Sequence, residues 1–225
     1  MAIGLTVASV TAADKPDLTK PTSKASYAIG MDIGSNFKKQ DVDIDGAALA
    51  AGLVDGLAGK GQLTEAEAKE ALEAFRTTMM AKMADKQKSM AAKNDKEGAA
   101  FLAENGKKAD VKTTASGLQY KVIKSGPAGG KSPKATDTVK AHYHGTLIDG
   151  TVFDSSVKRG EPLQIPVNQV IPGWTEALQL MKEGDKWQLY IPGKLAYGER
   201  GAGGQIGPNA TLIFDVELIS IEKAN

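Results

Sequence analysis

From Thr113 to the C-terminus, apolar residues alternate with polar ones at a spacing of two. Leu118, Tyr120 and Val122 make one such run, and Val139, Ala141 and Tyr143 a second. Leu163-Gln-Ile-Pro-Val, Trp187-Gln-Leu-Tyr-Ile and Leu212-Ile-Phe-Asp-Val-Glu-Leu supply further strands. Gly126-Pro127, Gly129-Gly130, Asp149-Gly150 and Gly207-Pro208 punctuate them. One short helical stretch interrupts, near Trp174 to Met181 and closed by Gly184. The pattern predicts an antiparallel sheet with a single short helix, an α+β domain.

Before Thr113 the period is helical. Tyr27, Ile29, Ile33 and Phe37 form a short amphipathic face. Asp45 is placed to cap a second helix bearing Leu49, Leu53, Val54 and Leu57, which Gly59-Lys60-Gly61 ends. Thr64 and Glu67 form a capping-box sequence, followed at helical spacing by Ala68, Leu72, Phe75, Met79 and Met83. Beyond Met83 the apolar stripe thins, yet no proline occurs from Thr64 to Lys108. A helix of that reach spans roughly 60–70 Å, and its second half is expected to run through solvent. Asp14 to Ser23, with Pro16 and Pro21 among polar residues, reads as a linker.

The first thirteen residues, MAIGLTVASVTAA, are uncharged, apolar and rich in small side chains. They read as the apolar core and cleavage zone of an export signal without its positive start, with a short buried helix as the alternative. No other apolar run is long enough to cross a bilayer, so membrane insertion of the mature chain is not expected. The expected divisions are 1–13 signal segment, 14–63 small helices, 64–112 connecting helix and 113–225 sheet domain.

Composition narrows the chemistry. A net charge of +1, from 28 basic and 27 acidic residues, argues against nucleic-acid binding on a broad basic surface. With no cysteine there is no disulfide, thiol catalysis or thiolate metal site. His142 and His144 make an H-x-H fragment on one face of a strand, with no cysteine to complete a metal site. Gly201-Ala-Gly-Gly lacks the Lys-Ser/Thr of a phosphate loop and reads as a mobile loop. Met79, Met80, Met83 and Met90 suit either helix packing or an adaptable client-binding stripe. Trp174, Phe153 and Phe214 fit a sheet core or a ligand pocket, and Asp154 with Arg159 an ordinary surface pair or a polar anchor.

Five segments bear on those alternatives: Val139-Lys-Ala-His-Tyr-His-Gly-Thr-Leu, Gly150-Thr-Val-Phe-Asp-Ser-Ser, Gln169-Val-Ile-Pro-Gly-Trp, Leu195-Ala-Tyr-Gly and Ile206-Gly-Pro-Asn-Ala-Thr-Leu-Ile-Phe-Asp-Val-Glu-Leu. In this order and spacing, over roughly residues 113–223, they resemble the FKBP-type peptidyl-prolyl cis/trans isomerases. With the helices before them, the layout resembles the dimeric Mip-like subgroup. The resemblance implies an all-helical N-terminal dimerisation region with a long connecting helix, then an FKBP-like antiparallel β-sheet wrapped on one short helix.

It further implies a pocket with Trp174 at the floor and Tyr143, Phe153, Val170, Ile171 and Phe214 as the apolar wall. Tyr197 and Ile206 stand at the mouth, and Leu163 where the family often has an aromatic. Asp154 pairs with Arg159 and Tyr143, and the Ile171 N–H receives a substrate carbonyl. Catalysis then falls to Asp154, Tyr143, Phe153, Tyr197 and Phe214, and substrate binding to Arg159, Leu163, Val170, Ile171, Trp174 and Ile206. Gln169, where an acid is frequent, and Ala202, where an aromatic or His is frequent, bear on substrate preference.

The implied reaction is rotation about X–Pro bonds, whose barrier of about 18–20 kcal/mol reflects lost amide resonance. No bond is broken, so neither metal nor cofactor is needed. Expected partners are proline-containing peptides, unfolded protein clients, a second copy of the chain and macrolides of the FK506 type. The expected compartment is the bacterial periplasm, and the expected role that of a folding helper. A proline-binding module without turnover and a dimeric holdase are the competing classes.

Overall fold

A computed structural model describes residues 16–222; the signal segment read over 1–13 lies outside them. The chain divides after Lys82 into two compact units.

In the first unit, α1 (Pro21–Lys39) begins inside the stretch expected to be a linker. Pro21 occupies the first turn, where its missing N–H has no intrahelical partner to lose and its fixed φ favours helix. Asp45 caps α2 (Gly46–Ala58), accepting from the N–H groups of Ala47 and Ala48 at 2.9 and 3.0 Å. Gly59, in the left-handed conformation at φ +65°, ends it. The 41-residue α3 (Glu65–Asn105) opens with a reciprocal capping box. The Thr64 N–H donates to Glu67 Oε2 at 2.8 Å, and the Glu67 N–H to Thr64 Oγ1 at 3.2 Å. None of residues 16–82 is buried, and Leu53, Leu57, Leu72 and Met80 are each at least 65% exposed. α2 and α3 are capped by side chains and α1 starts on a proline, but residues 16–82 have no core of their own.

The second unit, from Met83, is built on a seven-stranded antiparallel sheet. Its strands are β1 (Lys112–Thr113), β2 (Gln119–Lys124), β3 (Thr138–Leu147), β4 (Val152–Ser155), β5 (Leu163–Pro166), β6 (Lys186–Ile191) and β7 (Leu212–Glu222). They run in the order β1-β2-β6-β7-β3-β4, with β5 paired to the other end of β3. Alternation along β3 buries Val139, Ala141 and Tyr143, and along β7 Leu212, Phe214, Val216 and Leu218. Onto these residues α5 (Pro172–Leu180) lays Trp174, Ala177 and Leu178. Between β4 and β5 the single turn α4 (Ser156–Arg159), capped by Ser155 Oγ, turns Arg159 back beside β4. The sequence pattern missed β1 and α4, of two and four residues, and β4, whose Val152-Phe-Asp-Ser155 does not alternate apolar with polar.

The second half of α3 differs from the solvent-spanning helix expected. Gly98 is buried with Thr211 against the position a Cβ would occupy, and Phe101 packs on Tyr190 with ring centroids 6.0 Å apart. Asn105, 1% exposed, donates to Gln119 Oε1 at 3.0 Å, and Gln119 Nε2 donates to the Leu102 carbonyl at 2.8 Å. This docking uses a glycine, amides and one aromatic ring. A hydropathy stripe therefore does not reveal it.

No described helix is long and apolar enough to cross a membrane. His142 and His144 each place Nδ1 at 3.1 and 3.0 Å from a serine hydroxyl, those of Ser156 and Ser155. Among the described residues no His/Cys/Asp/Glu group of metal-binding size forms.

Candidate active site

A half-open cavity of about 620 Å³ sits where β3, β4, β5, β7, the start of α5 and the loop 197–206 converge. Its floor is a set of rings that touch edge to face. Trp174 meets Tyr143 at 5.5 Å and 86°, and Phe214 at 5.3 Å and 81°. Phe153 meets Phe214 at 5.4 Å and 82°. Edge-to-face contacts of this kind fix ring orientation as well as burying area. Gly145, opposite Phe214 in the β3–β7 register, makes the arrangement possible. A Cβ there would lie 2.6 Å from the Phe153 ring and 2.8 Å from the Phe214 ring.

The walls come from short extended segments. Leu163 and Ile165, two apart on β5, share one face, and Val170 and Ile171 lead into α5. Ile171 is the residue before the first turn of α5, and its carbonyl accepts from the N–H groups of Trp174 and Thr175. Among the described residues no protein acceptor takes the Ile171 N–H itself. Tyr197, Ala202 and Ile206 close the mouth, with Gln169 and Gln205 on the rim.

One corner is polar. The Tyr143 hydroxyl donates to Asp154 Oδ2 and accepts from Arg159 Nη2 at 2.8 Å, while Arg159 Nη1 pairs with Asp154 Oδ1. The Ser155 N–H also donates to Asp154, at 2.7 Å, and the guanidinium carbon lies 5.6 Å from the centre of the Tyr143 ring. Burial works to raise the Asp154 carboxyl. Hydrogen bonds from Tyr143, Arg159 and the Ser155 N–H outweigh it and hold the group below its ordinary value. Burial, reinforced by the Asp154 hydrogen bond, pushes the Tyr143 phenol up. The corner is therefore a carboxylate, a neutral phenol and a guanidinium at neutral pH.

Tyr143, Phe153, Asp154, Leu163, Val170, Ile171, Trp174, Tyr197, Ile206 and Phe214 all line the cavity; Arg159 stands behind the wall and reaches it through Asp154 and Tyr143. Trp174, Tyr143 and Phe214 belong to the buried core as well, so the core and pocket readings of these rings are both met. Leu163, Gln169 and Ala202, where the sequence departs from the family pattern, also face the cavity. Sequence reading missed Ile165 and Gln205. The alternation Leu163-Gln-Ile165 carried a signal for the first; the second sits in a glycine-rich loop with no period to read.

Comparison with known proteins gives the family and the fold. The family profile of FKBP-type peptidyl-prolyl cis-trans isomerases matches residues 129–219, and that of the domain amino-terminal to such isomerases matches 22–122. The chain is 48% identical over 224 residues to the outer membrane protein MIP of Legionella longbeachae, covering 99% of this chain and 95% of that protein. It is 46% identical over 224 residues to the peptidyl-prolyl cis-trans isomerase Mip of Coxiella burnetii, covering 99% and 96%. Among solved structures, that of FkpA from Escherichia coli superposes with a TM-score of 0.75 at 40% identity, covering 92% of this chain and 99% of that one.

These matches identify an enzyme that acts on prolyl peptide bonds, built as a sheet closed on one short helix. Its two matched domains place the chain in the family of FKBP-type peptidyl-prolyl cis-trans isomerases, and it is Mip-like within that family.

Proposed function

We propose that this isomerase lowers the rotation barrier chiefly by desolvation. The planar amide is charge-separated and well solvated by water, and the twisted one much less so. Moving an X–Pro bond into a dry aromatic cavity therefore favours the twist, which is differential binding of the transition state. A reduction of about 8 kcal/mol corresponds to roughly a millionfold acceleration. Trp174, Phe153, Phe214, Val170 and Ile206 hold the proline ring. The Ile171 N–H takes a substrate carbonyl, and Asp154, fixed by Arg159 and Tyr143, orients the twisted bond. The observation that carries this reading is a ring-lined cavity whose only charged corner is already internally paired. The test is isomerisation of a short proline peptide with and without a macrolide of the FK506 type. Turnover abolished by a stoichiometric amount of macrolide is expected; turnover indifferent to it rejects this pocket as the site.

The N-terminal helices, residues 14–63, are proposed to pair with those of a second copy. The absence of any buried residue in α1 and α2 supports this, since their apolar faces gain a core only by association. Paired catalytic units would then hold unfolded clients, a chaperone-like role. Export to a bacterial periplasm is the proposed setting, supported by the apolar first thirteen residues and by bacterial relatives, one of them named an outer membrane protein. Cell fractionation with a periplasmic marker decides that point.

A further inference from the structure

A second hollow, of about 500 Å³, lies against the catalytic pocket. One wall is the stretch of α3 that carries Met83, Lys86 and Met90; the other is the loop from Arg200 to Pro208. The two hollows share Ala202, Gly203 and Ile206, so the loop between them is a common wall. That loop is held narrow by paired backbone bonds, Ala202 N–H to Ile206 O at 2.8 Å and Ile206 N–H to Ala202 O at 3.0 Å. Because the two hollows share this wall, a chain leaving the proline pocket over the rim can continue into the second hollow.

The lining fits such a chain. Met83 and Met90 are 50% and 40% exposed, and flexible thioethers adapt to apolar side chains of varied shape. Lys86 and Arg200 stand beside them, with no acidic residue in the lining and no ion pair to either among the described residues. Two unpaired cations next to an apolar groove favour an acidic side chain adjacent to an apolar one.

We propose that this groove is an extension of the substrate site. Its occupant is the stretch of the same client chain that flanks the bound proline, with an apolar residue against Met83 and Met90 and an acidic one facing Lys86 and Arg200. The proposal rests on the isomerase reading of the adjoining pocket. It makes the middle of the long helix a contributor to sequence preference, although every ring of the pocket lies beyond it in the chain.

The test uses the full chain and three substrates: a proline tetrapeptide, and two peptides with about eight residues on each side of the proline, flanked either by Leu with Asp and Glu or by Leu with Lys. For the natural enzyme, kcat/KM should favour the acidic peptide by about tenfold, mostly through KM, and the gap should close in molar salt. In Lys86→Glu/Arg200→Glu the preference should reverse while tetrapeptide turnover stays the same. Equal kcat/KM for the two long peptides in the natural enzyme overturns the proposal, as does a gap that survives salt; neither measurement depends on the variant folding. Absent tetrapeptide turnover would instead sink the isomerase reading itself, so the two failures are distinguishable.

Discussion

The side-chain amide of Asn94 donates to the carbonyl oxygen of Pro208 at 2.7 Å, tying the long helix to a loop 114 residues further on. Next to it Asn209 Nδ2 donates to Asp95 at 2.9 Å, and a Cβ on Gly207 would come within 2.8 Å of Met90 Sδ. These contacts clamp the segment that follows Ile206 in the pocket's rim. In Asn94→Ala/Asp95→Ala we expect KM for a short peptide to rise about threefold with kcat nearly unchanged, and stability to fall by about 1–2 kcal/mol, one modest bond at each site. Amide exchange over 201–209 should quicken. Unaltered exchange and KM would mean that the helix leaves the rim untouched.

The same docking decides where the catalytic unit can be cut. A fragment beginning at 113 contains every ring of the pocket, but it uncovers Thr211, Tyr190 and Gln119, which α3 packs against. We expect a fragment of residues 83–225 to melt at least about 5 °C above one of residues 113–225, since each 1 kcal/mol is worth several degrees in a domain of this size. Coincident melting curves would show the docked helix to be energetically idle.

Asp154 gives a pH test with a definite sign. Its folded-state value is depressed, so the carboxylate and its bonds are intact above the ordinary carboxylate range and lost only as pH falls through the lowered value. Activity on a peptide, followed by NMR exchange, should stay level from neutrality to below about pH 4. Asp154→Asn should lose roughly five- to tenfold in kcat/KM at neutral pH and lack that acid limb, with its fold kept because the ion pair is about half exposed and worth little to stability. Equal profiles for the two proteins would remove Asp154 from the reaction.

Gly145 is the point where backbone and pocket meet most closely. A methyl in Gly145→Ala would press both Phe153 and Phe214 out of their edge-to-face contact. We expect destabilisation of about 1–3 kcal/mol, the usual cost of overpacking, together with macrolide affinity weakened about tenfold or more. Denaturant unfolding and a binding titration report the two effects separately, and full macrolide affinity in the variant would show that the ring positions do not matter.

For the N-terminal helices, sedimentation at micromolar concentration should give about twice the 23.6 kDa chain mass. Replacing Leu53 and Leu57 by Lys should return the monomer mass while short-peptide turnover per site is unchanged, because neither residue lies in the catalytic unit. The same variant should be several-fold poorer at speeding proline-limited refolding of a whole protein, which a paired enzyme can hold at two points. A chain that sediments as a monomer before any substitution disposes of the pairing.

Much of this was legible in the residues, because periods and caps are local. Asp45, Gly59 and the Thr64–Glu67 box stand where their chemistry predicts, and the apolar–polar pattern located five of the seven strands. Pocket rings were found through ordered segments; their spacing alone left core and pocket undecided, since Trp174 and Phe214 are both. The docking of α3 escaped because Asn94, Gly98 and Asn105 act through a missing side chain and directed amides, to which hydropathy is blind. Pro21 was read as linker because a proline looks the same in sequence whether it breaks a helix or begins one.

The shared use of Trp174, Tyr143 and Phe214 by core and pocket also sets how such an enzyme can diversify. A substitution among those rings strikes folding and turnover together, so the reactive floor has almost no room to drift. Leu163, Gln169, Ala202 and Gln205 border the cavity without joining that ring cluster. Leu163 and Ala202 still pack on the core, so exchange at Gln169 and Gln205 carries the least risk to the fold. New appetites for particular clients should thus accumulate around the opening, while the machinery beneath stays as it was inherited.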